Sequence, residues 1–136
     1  MFEGIYWEIP GRLIIAEYSG VVGLEDFQQA SAAINDAIDN EGKPPLVHNI
    51  TDARRRTQLD KSLFNVGSVI KAQNLTDHPL LGWTLVVDSN PHPVMRFVGT
   101  TVTQLTSARF RIFTDMDEAR DFLYEVDSTL ESSSIS

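Results

Sequence analysis

Cysteine is absent from the chain. That removes disulfide staples, thiolate zinc sites and cysteine nucleophiles in one step. Histidine is scarce, with three copies at His48, His78 and His92, and their scatter gives no metal-ligand spacing. No apolar run approaches the ~20 residues that a membrane span requires. The first residues, Met1-Phe2-Glu3-Gly4, lack the basic and apolar regions of a signal peptide. The glycines form neither Gly-x-Gly-x-x-Gly after a strand nor Gly-x-x-x-x-Gly-Lys-Ser/Thr, so neither nucleotide-binding loop is signalled. A Gly-x-Ser-x-Gly nucleophile elbow is missing too. These absences lead to the expectation of a cytoplasmic, non-enzymatic protein with no cofactor and no metal.

What the chain does have is enough apolar material for a core. It has 136 residues, 42% of them hydrophobic. One domain of this size buries roughly two-thirds of its unfolded surface and needs no staple. The single domain is expected over residues 1–130, with 131–136 a flexible polar tail.

The net charge of −8 is unevenly spread. Residues 1–52 hold nine acids and two bases, residues 53–113 three acids and eight bases, and residues 114–136 seven acids and one base. An acidic total disfavours nucleic acid, while the basic middle is masked within it.

Periodicity gives the elements. Residues 3–9 and 12–18 read as strands joined by the Pro10-Gly11 turn, with Ser19-Gly20 ending the second. Gly23 to Asn40 reads as a helix, with Leu24, Phe27, Ala30, Ile34, Ala37 and Ile38 on one face. Leu46 to Ile50 reads as a strand covered on both faces. Leu59, Leu63, Val66 and Ile70 mark a second helix over 59–74, and Gly82 to Asp88 a fourth strand. Val94, Val98, Val102 and Leu105 give helical spacing to 94–105, against the β-branched residues there. Ala108 to Phe113 alternates as an edge strand. A last helix starts at Asp115, capped by Thr114, with Met116, Ala119, Phe122, Leu123 and Val126 inward. The order is β-β-α-β-α-β-α-β-α, an α/β fold with a mixed, mostly parallel five-stranded sheet and four helices.

One stretch stands out for chemistry. Asp52, Arg54, Arg55, Arg56 and Thr57 follow the third strand, where open α/β sheets meet their ligands. Arginines there suit a carboxylate or phosphate held bidentately. The competing reading is that Asp52 caps the turn or pairs with one of the arginines. His48 lies mid-strand and reads as a packed histidine satisfied by a hydrogen bond. Asp52 lies about 13 Å further along the strand, at ~3.3 Å per residue, and cannot be its partner. Tyr6, Trp7, Trp83, Phe97 and Phe110 read as core, or as the lining of an apolar pocket or dimer face. Val94, Met95, Phe97 and Val98 form a possible apolar surface.

The order of these pieces resembles the STAS fold, and within it the SpoIIAA-like branch grouped with CRAL-TRIO-type lipid-binding relatives. The resemblance rests on Gly11-Arg-Leu-Ile-Ile-Ala-Glu-Tyr-Ser-Gly20 with Glu25-Asp26-Phe27, on Leu46-Val-His-Asn-Ile-Thr-Asp52, on His78-Pro-Leu-Leu-Gly-Trp83, and on Arg109-Phe-Arg-Ile-Phe113 with Glu118-Ala119. It implies a regulatory or protein-interaction module that meets a protein partner or an identical subunit. Anti-sigma antagonists carry Asp-Ser-Ser-Gly after the third strand, with a phosphorylated serine. Laid on this chain without gaps, that signature falls on Thr57-Gln58-Leu59-Asp60, where neither serine stands. Thr57 or Ser62 is left as a substitute acceptor. The alternative is a carrier or sensor of a small apolar or anionic, lipid-like ligand.

Overall fold

The computed structural model describes residues 1–65, 67–68, 78–93, 96 and 109–130. Its elements are β1 (Phe2–Ile9), β2 (Leu13–Val22), α1 (Leu24–Glu41), β3 (Val47–Leu59), a 3₁₀ turn (Lys61–Phe64), β4 (Leu81–Val87), β5 (Phe110–Phe113) and α2 (Met116–Val126). The five strands lie in one sheet in chain order. β1 runs antiparallel to β2, and β2, β3, β4 and β5 run parallel to one another. The expected hairpin and parallel sheet are both present.

Leu13-Ile14-Ile15-Ala16 is apolar without a break because β2 is covered on both faces. Ile14, Ala16 and Tyr18 pack with Val47 against Ala30, Ile34 and Ile38 of α1. Leu13 and Ile15 pack with Ile50, Leu85 and Val87 against Met116, Ala119 and Leu123 of α2. The helix faces read from the sequence are buried or half-buried, except at Val126, which was expected to face inward and is 44% exposed at the last turn of α2. At the start of α1, the Asp26 carboxylate accepts the Gly23 N–H at 2.9 Å and the Phe2 N–H at 2.8 Å. At the start of α2, Asp115 rather than Thr114 is the cap, accepting the Asp117 N–H.

Two strands are longer than the sequence reading allows. β2 passes through Ser19-Gly20 to Val22, with register shifts on both sides of that dipeptide. Gly20 takes φ +60, a left-handed conformation that a glycine adopts without strain. The dipeptide is thus a bulge inside the strand and not its end. β3 runs on from Ile50 to Leu59, because the extended β2 supplies partners as far as Val22↔Leu59. Leu59 is consequently the last residue of a strand, and not the first of a helix. Asp60 then caps the short 3₁₀ turn, accepting the Ser62 N–H at 2.9 Å. Most of the expected 59–74 helix beyond that turn, and the 94–105 helix apart from Arg96, lie outside the described residues, as does the 131–136 tail. Two α-helices lie whole within the described residues, and Gly67, Ser68, Pro93 and Arg96 are helical as well.

Candidate functional site

The elongation of β3 changes where the arginines stand. Asp52, Arg54, Arg55, Arg56 and Thr57 are strand residues, not a turn. The last β3–β4 pair is Asp52↔Val87, whereas pairing with β2 continues for seven more residues of β3. Past Asp52 the strand therefore has a strand partner on one side alone among the described residues.

The three guanidinium groups point to three different carboxylates, since consecutive strand residues alternate and a bulge intervenes. Arg54 folds back on Asp52 in a two-pronged pair, with Nε to Oδ1 at 2.9 Å and Nη2 to Oδ2 at 2.8 Å. The Arg54 hydrogen bonds hold the Asp52 carboxyl below the ordinary carboxylate range, against the upward push of burial. Arg55 is 63% exposed and lies 3.9 Å from Glu17. Arg56 is 13% exposed, donates to Asp88, and reaches the Asn90 carbonyl at 2.7 Å. Thr57 is exposed. Ser62 is half-buried, and its hydroxyl accepts the Leu24 N–H at 2.9 Å at the start of α1. The surface expected at Val94, Met95, Phe97 and Val98 lies outside the described residues.

Arg56 also forms one rim of an apolar cleft between the end of β3 and residues 88–92. Its volume is about 60 Å³, and its lining includes Tyr18, Phe27, Ala53, Leu63, Val86 and Ile112. Phe110 belongs to the same wall. Of the other aromatic candidates, Trp83 packs edge-on against Phe122, Trp7 is half-buried, and Tyr6 is 46% exposed.

His48 sits in a buried polar cluster that sequence reasoning did not assemble. Its Nδ1 accepts the Trp83 N–H at 2.9 Å, so its Nε2 carries the proton that is shared with Asp127 at 2.8 Å. Arg12 donates to the same Asp127 oxygen at 2.8 Å and to the Leu46 carbonyl. Burial pushes the His48 pKa down, and the bond to Asp127 only partly offsets this. Burial alone would raise the Asp127 carboxyl, but hydrogen bonds from Thr129 and His48 and the charge of Arg12 hold it below the ordinary range. His48 has no exposed surface and Asp127 is 9% exposed, so the pair is turned into the fold. It fastens the end of α2 to the starts of β2 and β3. The other histidines are also engaged: His78 meets Asp39 at 2.6 Å, and His92 stacks near Phe64. Among the described residues, no group of three acidic or histidine side chains could hold a metal ion. No described helix is long and apolar enough to cross a membrane.

No family model matches the chain, and no curated protein does. Solved structures do match. The anti-sigma factor antagonist SpoIIAA in its unphosphorylated form aligns with a TM-score of 0.58 at 20% identity, over 90% of this chain and 97% of that one. An uncharacterised DUF3478-family protein with a SpoIIAA-like fold from Shewanella loihica PV-4 aligns with a TM-score of 0.57 at 17% identity, over 90% and 92%. The chain has a SpoIIAA-like, STAS-type α/β fold.

Proposed function

We propose that the chain is a non-enzymatic regulatory module whose contact with a protein partner, or with an identical subunit, is centred on Asp52, Arg54, Arg55, Arg56 and Thr57. The observation that carries this reading is the extension of β3 beyond its last pair with β4. It presents Arg54, Arg55 and Thr57 on strand backbone paired with β2, with exposed side chains. A contact built on a strand loses less conformational freedom on binding than one built on a loop. The Arg55–Glu17 pair is solvent-exposed, and such pairs are worth ~0–1 kcal/mol, so a partner carboxylate can replace Glu17 at little cost. The module works without a phosphoserine at the usual place, because Thr57-Gln58-Leu59-Asp60 replaces the signature and the Ser62 hydroxyl is engaged by α1.

The second reading, a carrier of a small apolar or anionic ligand, is favoured by the apolar cleft with Arg56 and Asp88 at its rim. Its volume of about 60 Å³ falls well short of the ~300–1,000 Å³ of small-molecule sites, which places this reading second.

The test is the double reversal Arg54→Glu/Arg55→Glu in the full chain. Light scattering reports the oligomeric state, affinity capture reports partners, and native mass spectrometry reports co-purified ligand. Loss of the captured partner or of self-association, with unchanged melting, supports the module. An unchanged partner set and oligomeric state removes the proposed contact, and a retained apolar ligand moves the second reading to first place.

A further inference from the structure

We infer that β5 carries a second interaction surface, which takes an acidic, extended protein segment laid along the sheet edge. Among the described residues β5 is the terminal strand of the sheet and pairs only with β4. The Arg109 carbonyl accepts the Thr84 N–H at 2.8 Å, and the Phe113 carbonyl accepts the Asp88 N–H at 2.9 Å. Peptide groups alternate along a strand, so those of Phe110 and Ile112 point away from β4. An added strand uses such groups for affinity, and flanking side chains for specificity.

The flanking side chains here are Arg109 and Arg111, both exposed. They share the sheet face that carries Trp83, Phe113 and Phe122, and they differ from the β3 arginines in one respect. Arg54, Arg55 and Arg56 each have a carboxylate partner. Arg109 and Arg111 have none among the described residues. Arg109 makes only a 3.5 Å contact with the Leu81 carbonyl. Arg111 lies over the Phe122 ring at 4.9 Å and near the Phe113 ring at 5.8 Å. Stacking engages the face of a guanidinium and leaves its in-plane N–H groups directed outward. Trp83 meets Phe122 edge-on at 4.9 Å, and Phe113 meets it at 5.5 Å, so the platform beneath Arg111 is fixed. A planar donor on a fixed platform beside an open strand edge matches a carboxylate-bearing peptide in a bidentate pair.

A nucleic-acid strand would also meet two arginines. However, the chain's net charge of −8 opposes a polyanion that spans many ångströms beyond the patch. A short segment with two or three carboxylates feels mainly the charges within ~8–10 Å at physiological salt. The occupant is therefore an acidic peptide segment.

The probe is a fluorescein-labelled, alternating Glu-Val octapeptide, with a Lys-Val octapeptide and a thymidine octanucleotide for comparison. Anisotropy with the full chain gives affinity, and amide hydrogen exchange at Phe110 and Ile112 gives location. The expected result is saturable binding of the Glu-Val peptide that weakens at least tenfold in Arg109→Gln/Arg111→Gln, with slowed exchange at the two amides. Lys61→Gln, at an exposed base outside both proposed contacts, should leave this binding unchanged, and the exchange pattern separates it from the β3 contact. Melting curves identify a misfolded double variant, and Arg111→Lys then serves in its place: it keeps the charge, loses the planar donor, and should still weaken binding. Equal binding of all three probes, tighter binding of the oligonucleotide, or undiminished peptide binding by the variants overturns the proposal.

Discussion

His48 and Asp127 are 79 residues apart in the chain, and their side chains meet at 2.8 Å beneath the sheet. The same Asp127 oxygen receives Arg12 at 2.8 Å, so one carboxylate ties β2, β3 and the end of α2 together. Removing it takes the Asp127 carboxylate away from a guanidinium with 3% exposure, which keeps its neutral contacts with the Leu46 carbonyl and the Thr129 hydroxyl. Breaking a buried pair in this way costs about 3–5 kcal/mol. Asp127→Ala should therefore lower the urea midpoint by that equivalent, whereas Asp117→Ala on the exposed side of α2 should shift it by less than about 0.5 kcal/mol. Equal effects would show that the buried cluster is not a fastening point.

The same cluster sets the sign of an acid response. Burial holds the folded-state His48 pKa below its ordinary 6.5. At a pH between the two values the unfolded chain binds a proton that the folded chain refuses, so stability must fall as pH drops through 6.5 toward the folded value. Asp127 has a depressed pKa. Its contribution is present above the unfolded carboxylate value and is lost only at lower pH. Acid should thus weaken the fold in two stages, the histidine first. Denaturation at pH 7 and at 5.5 checks this against His48→Gln, which has no titratable group there. A parallel loss in both proteins over that window would contradict the assignment.

Gly82 is required by the same ring. A Cβ built on it would lie 2.4 Å from Nδ1 of His48 and 2.5 Å from its Cε1. The ring is held on both nitrogens and cannot turn aside without breaking a bond. Gly82→Ala should destabilise by about 1–3 kcal/mol, as overpacking does. Gly4→Ala meets nothing within 4 Å but keeps a φ of +138, so its cost is backbone strain alone. If Gly82→Ala is tolerated in wild type and equally in His48→Ala, the steric account fails.

The elements with apolar periodicity were legible because burial writes itself into spacing. The α1 stripe through Ala30, Ile34 and Ile38 and the doubly covered Leu13–Ala16 run are of this kind. The second half of β3 was not legible. Arg54, Arg55, Thr57 and Gln58 are exposed, so no apolar alternation marks them. They are extended because β2 pairs with them, and β2 reaches them only by absorbing Ser19-Gly20 as a bulge. A non-local partner and a local turn signal point opposite ways there, and the partner prevails. The edge character of β5 was visible in its alternation. The union of Arg12, His48 and Asp127 was not, because nothing local relates residues on three separate elements. The identities of the arginines were visible, but not their separate carboxylate partners.

Those partners give unequal expectations along one run of arginines. The Arg56–Asp88 pair is 13% and 11% exposed, and Arg56 also holds the Asn90 carbonyl. The Arg55–Glu17 pair is 63% and 38% exposed at 3.9 Å. Water screens the second pair almost fully, so Arg55→Ala should change stability by less than about 0.5 kcal/mol. Arg56→Ala takes the guanidinium from the buried Asp88 carboxylate, which keeps only the Asn90 N–H at 3.0 Å among the described residues, and frees the Asn90 carbonyl from β3, which should cost roughly 1–3 kcal/mol. Arg56→Lys keeps the charge but cannot reach Asp88 and Asn90 together through one planar group, so it should recover only part of the loss. Thermal and urea melts of the three variants measure this order. An Arg55→Ala cost equal to that of Arg56→Ala would mean that the strand end is held as one charged unit and not by its inward-facing member.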